Sequence, residues 1–186
     1  YWSELQDIID WSRTHCFRRM GICWGAQALL YHQHAVQKFQ LPEKRFGVYD
    51  HGVGDNTSRL MRGFTDNFPM PISRYTSNDV NAIKDAGLEL LASSDIAGPG
   101  MVRDHQNGDV YILNHLEYDA ETLAAEYFRD ASEGRNTALP EHYFPDDNPD
   151  NEPVNYWRPF AFLLMGNWLH DLYQATPFDL STLDEK

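Results

Sequence analysis

The stretch Met20-Gly21-Ile22-Cys23-Trp24-Gly25-Ala26-Gln27-Ala28 decides how this chain folds. Apolar residues lead into a cysteine, and small residues follow at the head of a helix-forming run. This is the pattern of a nucleophile elbow, with Cys where Ser is more familiar. Read so, residues 17–22 form a short strand and residues 25–36 (GAQALLYHQHAV) a helix, with Gly25 small enough to let the two approach closely. A thiol at a helix N-terminus is favoured as thiolate by the free amides and the macrodipole. The backbone N–H groups that follow, that of Trp24 first, are placed to bind a developing oxyanion. The alternative is a Cys buried inertly in a core strand, as most intracellular cysteines are.

Outward from that elbow, residues 1–15 read as an amphipathic helix with Trp2, Leu5, Ile8, Ile9 and Ser12 on its inner stripe. RFGVYDHGV (45–53) has strand character, and residues 54–78, dense in Gly, Pro, Asn, Asp and Ser, read mostly as loop. Asn78 or Asp79 caps a short helix reaching Ala86, and residues 88–92 and 101–103 form short strands. Asn107-Gly108 is a hairpin turn leading into the strand DVYILN (109–114), which ends at His115. A helix then runs from Asp119 or Glu121 to Ser132, with Leu123, Tyr127 and Ala131 inward. The Pro/Asp-rich segment 139–153 is a connector without regular structure, and a last helix, 157–173, packs through Phe160, Leu163, Leu164 and Trp168. Alternating strands and helices predict an α/β domain with a largely parallel sheet.

Composition narrows the partners. The 186 residues, 42% hydrophobic and 23% charged, suit one globular domain or most of one. Asp and Glu outnumber Lys and Arg, 28 to 15, and a net charge of −13 argues against nucleic acid and anionic membranes. An anionic substrate must therefore be held by a few local cations. Cys16 and Cys23 are too few for a disulfide framework and lack zinc spacing, so neither a metal nor disulfides are expected, and a reducing cytoplasm is. The longest apolar stretch, 160–168, is short for a bilayer and broken by Gly166 and Asn167. Helical periodicity begins at the first residue, with no initiator Met, so residues 1–186 are expected to be the C-terminal, catalytic part of a single domain with sequence upstream.

The second chemical element is Asn114-His115-Leu116-Glu117. Residues i and i+2 of an extended segment project to one side, so His115 and Glu117 converge, or Glu117 orients the imidazole and holds its tautomer. Alone the pair reads as a surface contact; beside a Cys elbow, at a strand end, it reads as base and orienter. His32 and His34 share no helix face, and Asp50 and His51 lack further ligands. Cys16 reads as core, PDDNPDNE (145–152) as a solvated loop, and Trp157, Phe160, Phe162, Trp168 and Tyr173 as core rather than a cofactor box.

Gly21-x-Cys23-x-Gly25-x-Gln27 with His115-x-Glu117 resembles the class I glutamine amidotransferases, which implies a flavodoxin-like three-layer sandwich and leaves the reaction open. ICWGAQA (22–28), KRFGVYDH (44–51), SRYT (73–76), HLEYD (115–119), EYFRD (126–130), YFPDDNP (143–149) and NWLHDLYQATPFDL (167–180) resemble, in order along the chain, the homoserine O-succinyl- and O-acetyltransferases of methionine biosynthesis. That resemblance implies a ping-pong acyl transfer from acyl-CoA (acetyl-CoA or succinyl-CoA, a co-substrate, with no bound cofactor) through a Cys23 thioester to a homoserine hydroxyl. It implies His115 and Glu117 as base and orienter, Lys44, Ser73 and Arg129 as substrate-binding residues, and a homodimer. It also implies an N-terminal portion that supplies sheet strands, the rest of the oxyanion hole and a donor-sorting position.

The chain departs from the family pattern in having Asn114 and Leu116 for Gly and Pro around His115, Ile72 for His, and Ser77-Asn78 for Glu-Val. Loss of that acid, close to Ser73, leaves serine open as a rival acceptor. The same residues are also compatible with an amidotransferase acting on glutamine and with a non-catalytic relative.

Overall fold

The computed structural model describes residues 1–179; Leu180, which ends the C-terminal motif, and the rest of the span to Lys186 lie outside the described residues. Six strands form one sheet in the order β1-β6-β5-β4-β2-β3, with β1 Met20–Ile22, β2 Lys38–Val53, β3 Asn67–Asn78, β4 Glu89–Ser94, β5 Gly98–Arg103 and β6 Val110–Ile112. Helices cover both faces. On one face α1 (Trp2–His15), α2 (Trp24–His34) and α3 (Val80–Asp85) bury Ile9, Leu30 and Ile83 against Val102, Tyr111 and Leu113. On the other, α4 (Thr122–Ser132) and α5 (Arg158–Ala175) bring Leu123, Ala124 and Leu164 onto Met70, Leu91, Met101 and Ile112. The result is the expected three-layer α/β sandwich.

The sheet is not largely parallel. Only β1 with β6 runs parallel, and the other four pairings are antiparallel. The reason lies in the connections: β4, β5 and β6 follow one another through tight turns, which join antiparallel neighbours, whereas a parallel pair needs a crossover. The turn at Asn107-Gly108 behaves as expected, with Gly108 at φ 73°.

Residues 54–78 are not mostly loop, because β3 fills their second half. Pro69 and Pro71 sit opposite Asp50 and Val48 in a strand that closes the sheet order, where a missing N–H is tolerated. β2 begins at Lys38 rather than residue 45, and its pairing slips between Gln40 and Arg45, a bulge that carries Lys44. Asp79 caps α3, accepting from the Ala82 amide at 2.9 Å.

Several side-chain expectations fail for physical reasons. Cys16 is exposed, because α1 ends at His15 and the chain turns extended there. Ile8 and Ala131 face outward, and Phe162 and Tyr173 are 73% and 80% exposed, since α5 presents a single face to the core. Gly25 is not the close-packing residue. A Cβ there would meet nothing within 4 Å, whereas one on Gly21 would come within 2.7 Å of Leu29 and 2.9 Å of the Ala26 backbone. Strand and helix therefore close on each other at Gly21 and Ala26.

Candidate active site

Cys23 stands between β1 and α2 with φ 50° and ψ −115°, a conformation that costs a non-glycine residue on the order of 1–3 kcal/mol. Its amide is fixed by Ile112 of β6 at 2.7 Å, and its carbonyl accepts from Gln27 at 3.0 Å, the first turn of the helix. The thiol is half-buried and meets the His115 imidazole. Burial alone would raise its pKa. The hydrogen bond and charge of His115, the Trp24 backbone N–H and the charge of Arg74 outweigh this and hold the thiol below its ordinary value. The Trp24 amide thus points at the sulfur.

His115 lies past the end of β6, in a turn rather than on extended strand, and it is this turn that folds Glu117 back. The imidazole Nδ1 meets Glu117 Oε1 at 2.6 Å. Burial would lower the imidazole's pKa, but the contacts with Cys23 and Glu117 prevail and raise it to about 9. Cys23, His115 and Glu117 therefore form a continuous chain of polar contacts, in which each of Cys23 and His115 favours the charged form of the other.

The turn is clamped from three sides. The His115 amide donates to Pro71 O at 2.9 Å. Trp157, fully buried, and Asn155 both donate to the Tyr118 carbonyl, at 2.8 and 3.1 Å. Asn114, also fully buried, donates to His51 Nε2 at 2.9 Å while His51 Nδ1 meets Tyr49 O at 2.8 Å. Both nitrogens of His51 are thus occupied inside the protein. Burial, against the pull of the Tyr49 carbonyl, lowers its pKa to about 4. His32 and His34 diverge to Asp10 and Tyr111, and among the described residues no group of three or more His, Cys, Asp or Glu is arranged to hold a metal ion.

Lys44, Ser73 and Arg129, scattered over β2, β3 and α4, meet around two acids. Lys44 Nζ and Ser73 Oγ both donate to Glu126 Oε1, at 2.7 and 2.8 Å, and Lys44 lies 3.6 Å from Asp130. Arg129, more than half exposed, holds Asp130 at 2.7 Å and has Glu126 at 3.9 Å. An acid therefore stands beside Ser73 although position 77 carries none. Ser77 and Asn78 are buried, Asn78 bonded to Gln27 at 3.2 Å, and Ile72 is fully buried as well. Glu126 and Asp130 lie one helical turn apart inside the quoted run EYFRD, a spacing that signals a shared face. Tyr118 links the two groups. Its ring stacks on His115 at 4.1 Å, and burial with the charges of Glu126, Cys23 and Glu117 opposes its ionisation. A cavity of about 400 Å³ opens beside Lys44, lined by Phe46, Tyr75, Leu139 and Glu141.

The arrangement of sheet, elbow and helices is that of the class I glutamine amidotransferase-like fold. A glutamine amidotransferase from Thermotoga maritima superposes with a TM-score of 0.66 at 15% identity, over 93% of this chain and 70% of that one. One from Methylobacillus flagellatus does so at 0.65 and 13%, over 90% and 68%. Within that fold, residues 1–178 match the family model described as homoserine O-succinyltransferase, and the chain belongs to that family. It is 45% identical over 180 residues to a homoserine O-acetyltransferase of Cereibacter sphaeroides, covering 96% of this chain and 59% of the relative. To one of Rhizobium johnstonii it is 42% identical over 184 residues, covering 98% and 60%. The chain thus spans about three-fifths of the length of the curated relatives it matches. No helix among the described residues is long and apolar enough to cross a membrane.

Proposed function

We propose that this chain is the C-terminal, catalytic part of an acyl-CoA-dependent homoserine O-acyltransferase, with Cys23 as nucleophile, His115 as acid and base, and Glu117 as orienter. The observation that carries the reading is the unbroken contact from Cys23 through His115 to Glu117, at an elbow strained in the way an exposed nucleophile requires.

In the first half-reaction the Cys23 thiolate forms a bond to the acyl carbon of acetyl-CoA or succinyl-CoA, the carbon–sulfur bond to CoA breaks, and His115 gives its proton to the departing thiolate. The Trp24 amide is the nearest donor for the oxyanion of the tetrahedral intermediate. Exchange of one thioester for another is close to thermoneutral, so little driving force is required. In the second half-reaction neutral His115 takes the proton of the acceptor hydroxyl, whose oxygen attacks the thioester and releases Cys23 as thiolate. The ion pair is then restored. Glu126 and Asp130 suit the acceptor's ammonium and the exposed fork of Arg129 its carboxylate, with Lys44 and Ser73 fixing Glu126 between them. Such a product feeds methionine synthesis, and the family resemblance extends to a homodimer.

Homoserine is favoured over serine because the departures at Ile72, Ser77 and Asn78 are buried in β3 rather than exposed in the acidic cluster. Release of CoA, measured with acetyl-CoA and succinyl-CoA each crossed with homoserine and serine, tests this. One donor with homoserine should prevail. Preference for serine would change the acceptor, and ammonia release from glutamine without use of CoA would replace the reading altogether.

A further inference from the structure

Arg74 is an anomaly that the triad does not explain. It sits in β3 beside Ser73, is 6% exposed, and meets no carboxylate within ion-pair distance among the described residues. Its Nη2 donates to two backbone carbonyls, Ala97 O at 2.5 Å and Pro99 O at 3.4 Å, while Nε and Nη1 have no hydrogen-bond partner. Its cross-strand neighbour is Arg45, a like charge. A buried, uncompensated guanidinium is strongly destabilising, and such cations are retained where an anion answers them.

The direction of β3 says where that anion lies. Thr76 projects from the same face as Arg74, and its hydroxyl donates to Gln27 at 2.9 Å, one turn beyond Cys23 on α2. Three residues before Arg74, Pro71 holds the His115 amide. β3 therefore passes both partners of the nucleophile, with Arg74 between those two anchor points. We propose that Arg74 is the buried counter-charge of the Cys23 thiolate, a positioning residue that keeps the sulfur ionised through its field while His115 exchanges protons. This rests on Cys23 being the nucleophile. The groups acting on the sulfur are His115 and Tyr118 from the turn after β6, the Trp24 amide from α2 and Arg74 from β3, with Glu117 behind His115; Arg45 and His51 neighbour Arg74, with Asp50 behind His51. Separating the guanidinium from the imidazolium supports the thiolate before it attacks and again as it is released, without supplying a proton that could quench it.

The test is the pH dependence of Cys23 alkylation by iodoacetamide in the full-length protein, followed by mass spectrometry. Arg74→Met should move the midpoint upward by about one unit, so that reaction below the midpoint slows about tenfold while the high-pH plateau is kept. Arg74→Lys should restore most of the rate. An unmoved midpoint in folded Arg74→Met overturns the proposal. Should Arg74→Met not fold, His115→Gln protein decides: with the imidazolium removed, Cys23 should prefer anionic iodoacetate over neutral iodoacetamide more than free cysteine does, and an equal or lower preference overturns the proposal. An acyl label from acyl-CoA that never reaches Cys23 defeats the nucleophile assignment and this inference together. A label on Cys23 with an unmoved alkylation profile defeats this inference alone.

Discussion

Replacing Cys23 by Ala removes the sulfur's negative charge, as acylation does, and should change His115 from a proton holder into a base. The imidazole's pKa of about 9 lies 2.5 units above its ordinary value of 6.5, a net preference for the imidazolium of about 3 kcal/mol after the burial penalty has been met. Two contacts supply it, the Cys23 thiolate and Glu117 Oε1 at 2.6 Å. With the first gone, Glu117 alone opposes desolvation, and the pKa should fall by about one to two units, or roughly 1.4–3 kcal/mol. Side-chain nitrogen NMR of the eight histidines, assigned by His115→Gln, reads this directly. The sign in stability is also set. A raised histidine contributes fully below its unfolded pKa of about 6.5 and loses that contribution as pH rises through about 9. In wild type the lowered Cys23 thiol titrates the opposite way and offsets this, so Cys23→Ala should make stability fall more steeply with pH above about 6.5. A titration of His115 that is the same in wild type and Cys23→Ala would refute the ion pair and the two-stage role built on it.

His51 should make the protein acid-sensitive. Its pKa of about 4 lies below the unfolded value, so the unfolded chain takes up the proton first and up to about 3 kcal/mol is lost as pH falls from about 6.5 to 4. The urea-midpoint difference between wild type and His51→Gln should shrink over that range, and a constant difference contradicts it. Gly21→Ala forces a Cβ against Leu29 and Ala26 and should cost about 1–3 kcal/mol, whereas Gly25→Ala, with open space around it, should be neutral or slightly stabilising by thermal melt. The reverse order would misplace the strand–helix contact. Glu126→Gln keeps a hydrogen-bond acceptor for Ser73 but loses the charge, so KM for the amino-acid acceptor should rise about tenfold with CoA release in a single turnover unchanged. A loss confined to that CoA release would put Glu126 on the donor side.

The elbow and the His-x-Glu turn are legible in the sequence because each depends on local chemistry. A cysteine between an apolar run and a helix start, and a histidine two positions before a carboxylate, stand out in residues 20–28 and 114–117, although the close-packed glycine is Gly21 rather than Gly25 and the His-x-Glu pair lies in a turn rather than on a strand. What the chain alone hides is non-local. β3 reads as loop because Pro69, Pro71 and Asn67 are poor strand residues, and only its place at the end of the sheet order makes them acceptable. Strand direction is hidden because hairpin and crossover connections differ in geometry more than in composition. Arg74 gives no sign of its role because a cation in a strand reads as surface until its burial is known. Glu126 gives none because its meaning comes from Lys44 and Ser73, distant in sequence. The resemblance to a family singles out Lys44, Ser73 and Arg129, while the packing shows the two acids, Glu126 and Asp130, that join them.

The central claim is tested most directly by intact-protein mass spectrometry after mixing with acetyl-CoA or succinyl-CoA. An adduct of one acyl group, mapped to Cys23, should appear and then vanish when homoserine is added. An adduct that forms equally on Cys23→Ala, or one on Cys23 that neither homoserine nor serine discharges, would contradict it.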